Sequence, residues 1–363
     1  MKRFFTSALL VLVATSVAGQ DMLGDLREQG QGYAQVTPGH RLQFPRDHGA
    51  HPDFRVEWWY LTANLQDARG RQWGMQWTLF RQALSSAEAQ DGWRSGQVWM
   101  AHAAITTPDG HHHEQRFSRG GIGQAGVNDI SEDGYFNAWL DDWEWRSNEA
   151  GLFPAKLKFS VGDREIILLL EKTGDLVVNG VDGYSQKSEQ GQASYYYSQP
   201  HIRVRGFVSE GLEKTYLDGQ GWLDREWSSQ ALAENQQGWD WFSLHLDDGH
   251  KLMVYQLRHD DGEHWLSGSW VNPQGDRQEL DRDAVALAST RSGSVDVGGE
   301  RARDLPLEWD LELVGRDRNW RIKPLYDQQW METRIPYWEG VVLVEDERGR
   351  PAGVGYMELT GYQ

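Results

Sequence analysis

The sequence predicts an all-β protein made of antiparallel sheets. Tryptophan is frequent, with 19 in 363 residues, and aromatic side chains at this density suit pleated sheets, where they fill one face. Short runs of β-branched and aromatic residues alternate with turns, and 40 glycines against 11 prolines fit many tight turns. No long segment repeats its apolar residues with the 3.6-residue period of a helix.

The strand predictions follow these runs in chain order. Turn residues at 67–70 and at 108–110 predict two hairpins. Asp248-Gly249 predicts a two-residue hairpin turn that pairs Leu244 with Met253 and Phe242 with Tyr255, so that these four side chains share one face. The predicted strands are 56–64, 73–81, 98–106, 156–161, 165–171, 201–208, 239–246 and 251–257.

Charge and composition exclude several classes of function. A formal net charge of -18 argues against nucleic-acid binding, which needs a basic surface. The absence of cysteine excludes disulfides, thiol nucleophiles and zinc–thiolate sites. No Gly-x-Ser-x-Gly elbow, phosphate loop or dinucleotide fingerprint is present, so a serine hydrolase is poorly supported and no cofactor is expected.

The N-terminus predicts export. A basic start at 1–3, an apolar run at 4–17 and small residues before Gln20 are typical of a signal peptide, here residues 1–19. Gln20 stands where a lipid-anchored protein would carry cysteine, so a free periplasmic or secreted protein is expected. The rest of the chain contains no run that approaches the ~20 apolar residues of a membrane-spanning helix.

The length and a weak internal echo predict two domains. Glu57-Trp58-Trp59 is echoed by Glu226-Trp227, and 363 residues fit two barrels of about 150 residues each. We expect a linker at 20–42, one barrel at 43–200 and a second at 201–363, with the boundary near Pro200.

A long series of motifs resembles one family, the exported lipocalin-like proteins that include AttH-type proteins and carotenoid 1,2-hydratases, often called predicted secreted hydrolases. The resemblance covers about residues 43–363 and implies two tandem lipocalin-like, calycin-type antiparallel β-barrels. It also implies that some members add water to a carotenoid double bond without a cofactor, whereas others accompany ABC-type exporters. The motifs lie at 44–52, 55–60, 101–103, 187–188, 194–198, 222–229, 238–241, 337–340 and 355–362.

The resemblance has two departures that bear on function. Hydratase-type members carry His where this chain has Arg225, and an acid where it has Leu257. Both departures weaken the case for hydration, although Trp227 and Tyr255 match. We therefore expect an exported binder of an extended apolar ligand, a lipid or isoprenoid, that serves an ABC-type transporter permease. The alternative is a cofactor-free hydratase, and carbohydrate binding is a third option.

The candidate site residues are acids and aromatic residues in Trp-rich strands. Alkene hydration needs a carboxylic acid with a raised pKa and aromatic faces that stabilise a cation. Strand alternation places Asp224 and Glu226 on one face with Trp222, and Arg225 and Trp227 on the other. The catalytic candidates are Asp224, Glu226, Asp240 and Tyr255, and the ligand-binding candidates are Glu57, Trp59, His102, Arg225, Trp227 and Trp241.

Each candidate also has a structural alternative. The acids could instead pair with Arg55, Arg81, Arg225 or Lys187 and close the barrel ends. His48, His51 and His102 match no standard metal-ligand spacing, so no metal site is expected. The run at 111–114 follows an Asp-Gly turn, which predicts an exposed hairpin tip.

Overall fold

The computed structural model describes residues 26–27, 30–87, 92–298 and 301–362. The predicted signal peptide and the start of the predicted linker lie outside these residues. The regular secondary structure of the described residues is almost entirely β-strand, which confirms the all-β prediction. Its helical elements include one short helix, α1 (Ile130–Asp133), whose first turn is capped by the side chain of Asp129. Of the described helical segments, none has the length and apolar character needed to span a bilayer.

Within the described residues, thirteen strands form an N-terminal sheet in the order β4-β3-β2-β1-β13-β12-β9-β8-β7-β6-β5, with β10 and β11 paired to β12. The sheet curls until β3 and β4 lie against β6 and β8. Its strands are β1 (Val56–Asp67), β2 (Gln72–Ala83), β3 (Gln97–Thr107), β4 (Gly110–Arg119), β5 (Ala125–Val127), β6 (Asn137–Leu140), β7 (Trp143–Ser147), β8 (Ala155–Val161), β9 (Arg164–Lys172), β10 (Val177–Val178), β11 (Tyr184–Gln186), β12 (Ala193–Glu210) and β13 (Glu213–Ser228).

Ten further strands form a C-terminal sheet in the described residues, in the order β17-β16-β15-β14-β23-β22-β20-β19-β18, with β21 paired to β22. They are β14 (Gln236–Leu246), β15 (Lys251–His259), β16 (Trp265–Val271), β17 (Arg277–Asp281), β18 (Val285–Asp296), β19 (Ala302–Leu313), β20 (Arg318–Pro324), β21 (Trp330–Met331), β22 (Tyr337–Asp346) and β23 (Pro351–Leu359).

The change from one sheet to the other lies between Ser228 and Gln236. The boundary expected at Pro200 falls inside β12, and β13 also belongs to the N-terminal sheet. Irregular pairing of β12 with β13 at 199–202 accompanies this proline, which lacks the N–H that a sheet ladder uses. Pro200 therefore marks an irregularity within a strand.

Two of the three predicted hairpins are confirmed. At the first, Gly70 adopts a φ of 74° and its N–H donates to the carbonyl of Asp67 at 2.9 Å. At the second, β3 and β4 meet at the pair Thr107 and Gly110.

The hairpin at Asp248-Gly249 forms, but its predicted register is wrong by one residue. The turn has three residues, and Gly249 adopts a φ of 90°, a turn geometry that adds one residue to the loop. Trp241 therefore pairs with Tyr255, and Phe242 pairs with Val254. Because side chains alternate along a strand, this shift places Tyr255 on the face of Trp241 and not on the face of Phe242.

Each barrel interior is filled by its own apolar side chains. Trp59, Trp77 and Trp145 belong to the N-terminal core, whereas Phe242 and Trp338 belong to the C-terminal core. A third buried cluster lies where the outer faces of the two sheets meet, and it includes Tyr60, Trp222, Trp241, Tyr255 and Tyr356. The central strands are thus buried on both faces, and β1 is buried at all but two of its twelve residues.

Gly74 of β2 provides a test of this contact between the sheets. A methyl group at this position would lie 2.1 Å from Val341 Cγ2 and 2.5 Å from the Tyr356 hydroxyl. We expect Gly74→Ala to lower the free energy of unfolding by ~1–3 kcal/mol, because overpacking forces neighbouring side chains to move. Urea unfolding measures the change. Gly96→Ala is the control, since its nearest neighbour would be 4.0 Å away; equal stability of the two variants would contradict the close packing.

Candidate functional site

An apolar cavity of about 90 Å³ lies between the two barrels. The N-terminal sheet and its connections contribute Trp58, Tyr60, Phe80, Lys187, Tyr196, Asp224 and Glu226, and the C-terminal sheet contributes Trp239, Trp241, Tyr255, Leu257, Tyr337 and Glu358. Leu26, Ala231 and Leu232 complete the wall. The cavity is therefore a shared site, and neither barrel forms it alone.

Strand register explains why these residues meet. Each sheet presents a row of directly paired residues, one from each of four adjacent strands, to the opposite sheet. In the N-terminal sheet the row is Tyr196, Glu226, Trp58 and Phe80; in the C-terminal sheet it is Tyr255, Trp241, Glu358 and Glu339. Neighbours in such rows lie about 5 Å apart, so each sheet concentrates aromatic and acidic side chains in one band.

Asp224 is buried in the cavity wall and accepts three hydrogen bonds. Tyr196 donates to Oδ2 at 2.8 Å, and Trp222 Nε1 donates to Oδ1 at 2.9 Å. The Ser198 hydroxyl also donates to Oδ1. Burial raises the pKa of Asp224 to about 7, because it outweighs the hydrogen bonds that favour the carboxylate. Asp224 therefore changes protonation state close to neutral pH.

Lys187 and Glu226 form a buried ion pair beside Asp224, with Nζ 2.8 Å from Oε1. The ammonium also donates to the Tyr255 hydroxyl at 3.3 Å and lies 4.4 Å from the centroid of that ring. Burial lowers the pKa of Lys187, but attraction to Glu226 outweighs burial and leaves the pKa above its usual value. The cavity wall therefore contains one positive and one negative charge, and each compensates the other.

Two further carboxyl groups come from the C-terminal sheet. Glu358 accepts a hydrogen bond from Trp239 Nε1 at 3.1 Å, and burial, with the nearby negative charges of Asp224 and Glu226, raises its pKa to about 8. Glu339 accepts a hydrogen bond from Tyr60 at 2.7 Å, and burial followed by the charge of Glu358 raises its pKa well above the usual value. Burial thus favours the protonated form of both groups, and Glu358 is a neutral acid at neutral pH.

The structure brings together four of the predicted site residues: Asp224, Glu226, Tyr255 and Trp241 all line the cavity. The predicted alternation in β13 is confirmed, since Trp222 belongs to the cluster between the barrels and Trp227 belongs to the N-terminal core. Asp240 lies on the opposite face of β14 from Trp241. There Arg258, Gln256 and Tyr362 hold its carboxylate.

Four other predicted ligand-binding residues lie at one end of the N-terminal barrel. The Arg225 guanidinium lies 3.7 Å from the Trp59 ring and 5.1 Å from the Trp227 ring, and it pairs with Glu57. Glu57 also pairs with Arg81. Burial alone would raise the pKa of Glu57, but the two arginines hold it well below its usual value. This arrangement matches the structural alternative, in which Glu57 pairs with arginines and closes a barrel end.

The histidines are dispersed. His48 contacts Tyr197 at 2.7 Å, and the His51 ring stacks on Trp227. His102 lies behind the cavity wall, 2.9 Å from the Tyr337 hydroxyl, and burial lowers its pKa to about 3. Within the described residues, no group of three His, Cys, Asp or Glu side chains has the geometry to hold a metal ion.

The run at 111–114 is not a hairpin tip, because it continues β4. His111 pairs with Thr106 of β3, and their side chains lie 2.9 Å apart. The register of the hairpin places the turn before this run, at residues 108 and 109, so the histidines enter the strand.

Four residues of the site were missed as functional candidates: Lys187, Tyr196, Glu339 and Glu358. Lys187 and Tyr196 lie in motifs that carry the family resemblance, as do the two glutamates, but those motifs do not distinguish cavity residues from core residues. The sequence offers one signal for such residues, which is an acidic residue within a strand of aromatic residues. Burial of a carboxyl group costs free energy, so the group is expected to be paired or to have a function. Glu358, in Gly-Tyr-Met-Glu-Leu, meets that criterion.

Comparisons with known proteins agree with this architecture. The family model described as AttH-like matches residues 35–362. The chain belongs to the AttH-like family. A solved AttH structure from Nitrosomonas europaea is similar to it with 35% sequence identity and a TM-score of 0.79, over 91% of this chain and 99% of that one.

A second solved structure, kievitone hydratase from Nectria haematococca, shares the fold of this AttH-like chain. The two are 14% identical, with a TM-score of 0.67 over 92% of this chain and 97% of the hydratase. These whole-chain matches, with the two curved sheets, confirm the predicted pair of tandem lipocalin-like barrels. A search of the curated proteins finds no match.

Proposed function

We propose that this AttH-like protein is a cofactor-free hydratase that binds an apolar alkene, isoprenoid in type, between its barrels and adds water to a double bond. The observation that carries the proposal is the convergence of buried carboxyl groups from both sheets on one aromatic cavity. A hydratase with the same fold supports the class of reaction. Arg225, whose presence weighed against hydration in the sequence, lies at a barrel end and outside the cavity wall.

Glu358 is the proton donor in this mechanism. It lines the cavity, stays protonated up to a pH of about 8, and is held at one oxygen by Trp239. Its proton passes to one alkene carbon and forms a C–H bond with the π electrons, which leaves a cation on the other carbon. Hydratase-type members carry an acid where this chain has Leu257. In this chain Glu358, on a different strand, places an acid in the cavity.

The cation is stabilised by the aromatic walls. Trp241 and Tyr60 pack edge to face with ring centroids 5.2 Å apart, and Trp58 and Tyr196 complete the lining. The negative faces of such rings attract a cation in a desolvated pocket by ~2 kcal/mol. Because the Lys187 charge is paired with Glu226, it repels the intermediate less than an isolated ammonium would.

Asp224 completes the reaction as the general base. Its carboxylate accepts three hydrogen bonds and has about four lone-pair positions, so one position is left for water. The water oxygen attacks the cation and its proton passes to Asp224, which gives an alcohol. The enzyme is restored when Asp224 releases this proton and Glu358 takes one up.

The test is incubation of the purified protein with acyclic isoprenoid alkenes in water enriched in heavy oxygen. We expect an alcohol that carries the heavy oxygen and whose formation depends on the protein. Asp224→Asn should reduce turnover, whereas Asp310→Asn, which alters an exposed carboxylate paired with Arg321, should not. Tight co-purification of a lipid with no alcohol from any alkene would instead support the binding function.

The reaction rate is expected to have a bell-shaped pH dependence. Turnover requires ionised Asp224, which is present above a pH of about 7, and protonated Glu358, which is present below about 8. The rate should therefore be highest between these values and should fall on both sides. Initial rates across the pH range measure it; a rate that rises steadily with pH would exclude Glu358 as the donor.

Export and service to an ABC-type transporter permease stay predictions from the sequence. Binding of an apolar ligand is part of the proposed reaction, because a long alkene must leave water before it meets the acids. A permease partner is tested by co-purification from the native envelope.

A further inference from the structure

A second cavity, of about 470 Å³, opens at the other end of the same contact between the barrels. Asn64 and Gln66 of β1 line it, whereas Trp58 and Tyr60 of the same strand line the apolar cavity. At about 3.3 Å per residue, the four residues from Tyr60 to Asn64 place the nearest edges of the two sites about 13 Å apart along β1. The C-terminal barrel contributes Lys251 and Val354. We call this second cavity the polar cleft.

Side-chain amides dominate one wall of the polar cleft. Gln66 pairs with Gln72 across β1 and β2, and Asn64 pairs with Gln220 across β1 and β13. Asn64 donates to the carbonyl of Gly355 at 2.9 Å. In the part of the chain that the structure describes, the amides of Gln66, Gln72 and Gln220 have no hydrogen-bond partner. Each amide offers two donors and one acceptor oxygen, a combination that suits a ligand rich in hydroxyl groups.

Lys251 supplies a positive charge to the opposite wall. It is half-buried at the start of β15, and no carboxylate of the described residues lies within ion-pair distance of it. Burial lowers its pKa to about 8, an effect that the more distant Asp248 only partly opposes. The Arg203 guanidinium in the same cleft already pairs with Asp218 at 3.0 Å. Lys251 is thus available to an incoming anion, which would stabilise its charge.

We propose that the polar cleft binds a polyhydroxylated ligand that carries one phosphate or carboxylate group. The anionic group contacts the Lys251 ammonium, and the hydroxyl groups bind the amides of Gln66, Gln72 and Gln220. A free metabolite and the headgroup of an anionic glycerolipid both have this chemistry. The proposal involves none of the residues of the apolar cavity, so it does not depend on the hydratase function.

The test is calorimetric titration of the purified chain with glycerol 3-phosphate, with glycerol as the neutral comparison. Vesicles of phosphatidylglycerol separate a membrane headgroup from a free metabolite. We expect glycerol 3-phosphate or the vesicles to bind, and Lys251→Gln to weaken that binding by about ten- to a hundredfold, because a charge-assisted hydrogen bond is lost. Gln220→Ala, which keeps the charge, should weaken it about fivefold.

Lys156→Gln is the matched control, because Lys156 is an exposed lysine of β8 and should leave binding unchanged. Alkene hydration by Lys251→Gln should equal that of the unmodified protein, which separates this proposal from the proposed function. The proposal is overturned if neither glycerol 3-phosphate nor the vesicles bind, if glycerol binds as tightly as its phosphate, or if Lys251→Gln binds with unchanged affinity.

Discussion

Glu358→Gln is expected to abolish most turnover while making the protein more stable at alkaline pH. Removal of a general acid typically slows a reaction by ~10²–10⁴-fold. Glutamine keeps an oxygen that accepts the hydrogen bond from Trp239, so the cavity wall should keep its shape. The loss of rate would then arise from the missing proton.

The expected gain in stability follows from the raised pKa of Glu358. The usual glutamate value is 4.5, and in the folded protein it is about 8. Between these values the folded state holds a proton that the unfolded state has released, so this carboxyl contributes stability below pH 4.5 that is lost as the pH rises through about 8. The loss amounts to about 1.4 kcal/mol per pH unit for one proton. Glutamine does not titrate, which removes this contribution to the slope.

The measurement is urea unfolding of both proteins at about pH 6 and about pH 9, combined with initial rates of hydration. Glu345→Gln is the control, because Glu345 lies on neighbouring β22 and pairs with Lys323 near the surface. If Glu358→Gln keeps its turnover, Glu358 is not the donor. If its stability falls with pH as steeply as that of the unmodified protein, the carboxyl is not neutral when the protein is folded.

Glu57→Gln is expected to have the largest effect on stability, a loss of ~3–5 kcal/mol. Glu57 is fully buried and pairs with both Arg81 and Arg225, which are themselves buried. Without its charge, two guanidinium groups would stay buried with only backbone carbonyls and neutral side chains as acceptors. Leaving a buried charge uncompensated costs far more than losing an exposed ion pair.

The same variant separates the two roles that the sequence leaves open for Glu57. If the group closes the barrel end, Glu57→Gln lowers the urea midpoint, and the folded protein still hydrates its substrate with an unchanged KM. If Glu57 binds the ligand, KM rises. Asp310→Asn is again the control, because its exposed pair with Arg321 is worth less than ~1 kcal/mol. A urea midpoint for Glu57→Gln equal to that of this control would refute the structural role.

Local pattern was enough to predict much of the fold. Alternation along a strand depends only on the two-residue period of the chain, so the separation of Asp224 and Glu226 from Arg225 and Trp227 could be predicted without knowing any partner strand. Turn chemistry at Gly70 and at 108–110 is equally local. The hairpin at 248–249 shows the limit, because a three-residue loop and a two-residue loop contain the same Asp-Gly pair and differ by one residue in register.

The site itself required the tertiary structure. Glu358 is far from Lys187 and Asp224 in the chain, and it meets them only because the outer face of one barrel packs on the outer face of the other. Sequence predicts which residues share a face of a strand, but it does not predict which strands become neighbours or which face meets another sheet. The local sequence around an acidic residue in an aromatic strand is similar whether the residue closes a barrel end, as Glu57 does, or lines a cavity, as Glu358 does. The difference lies in the charged partners within hydrogen-bond distance, and packing alone decides those partners.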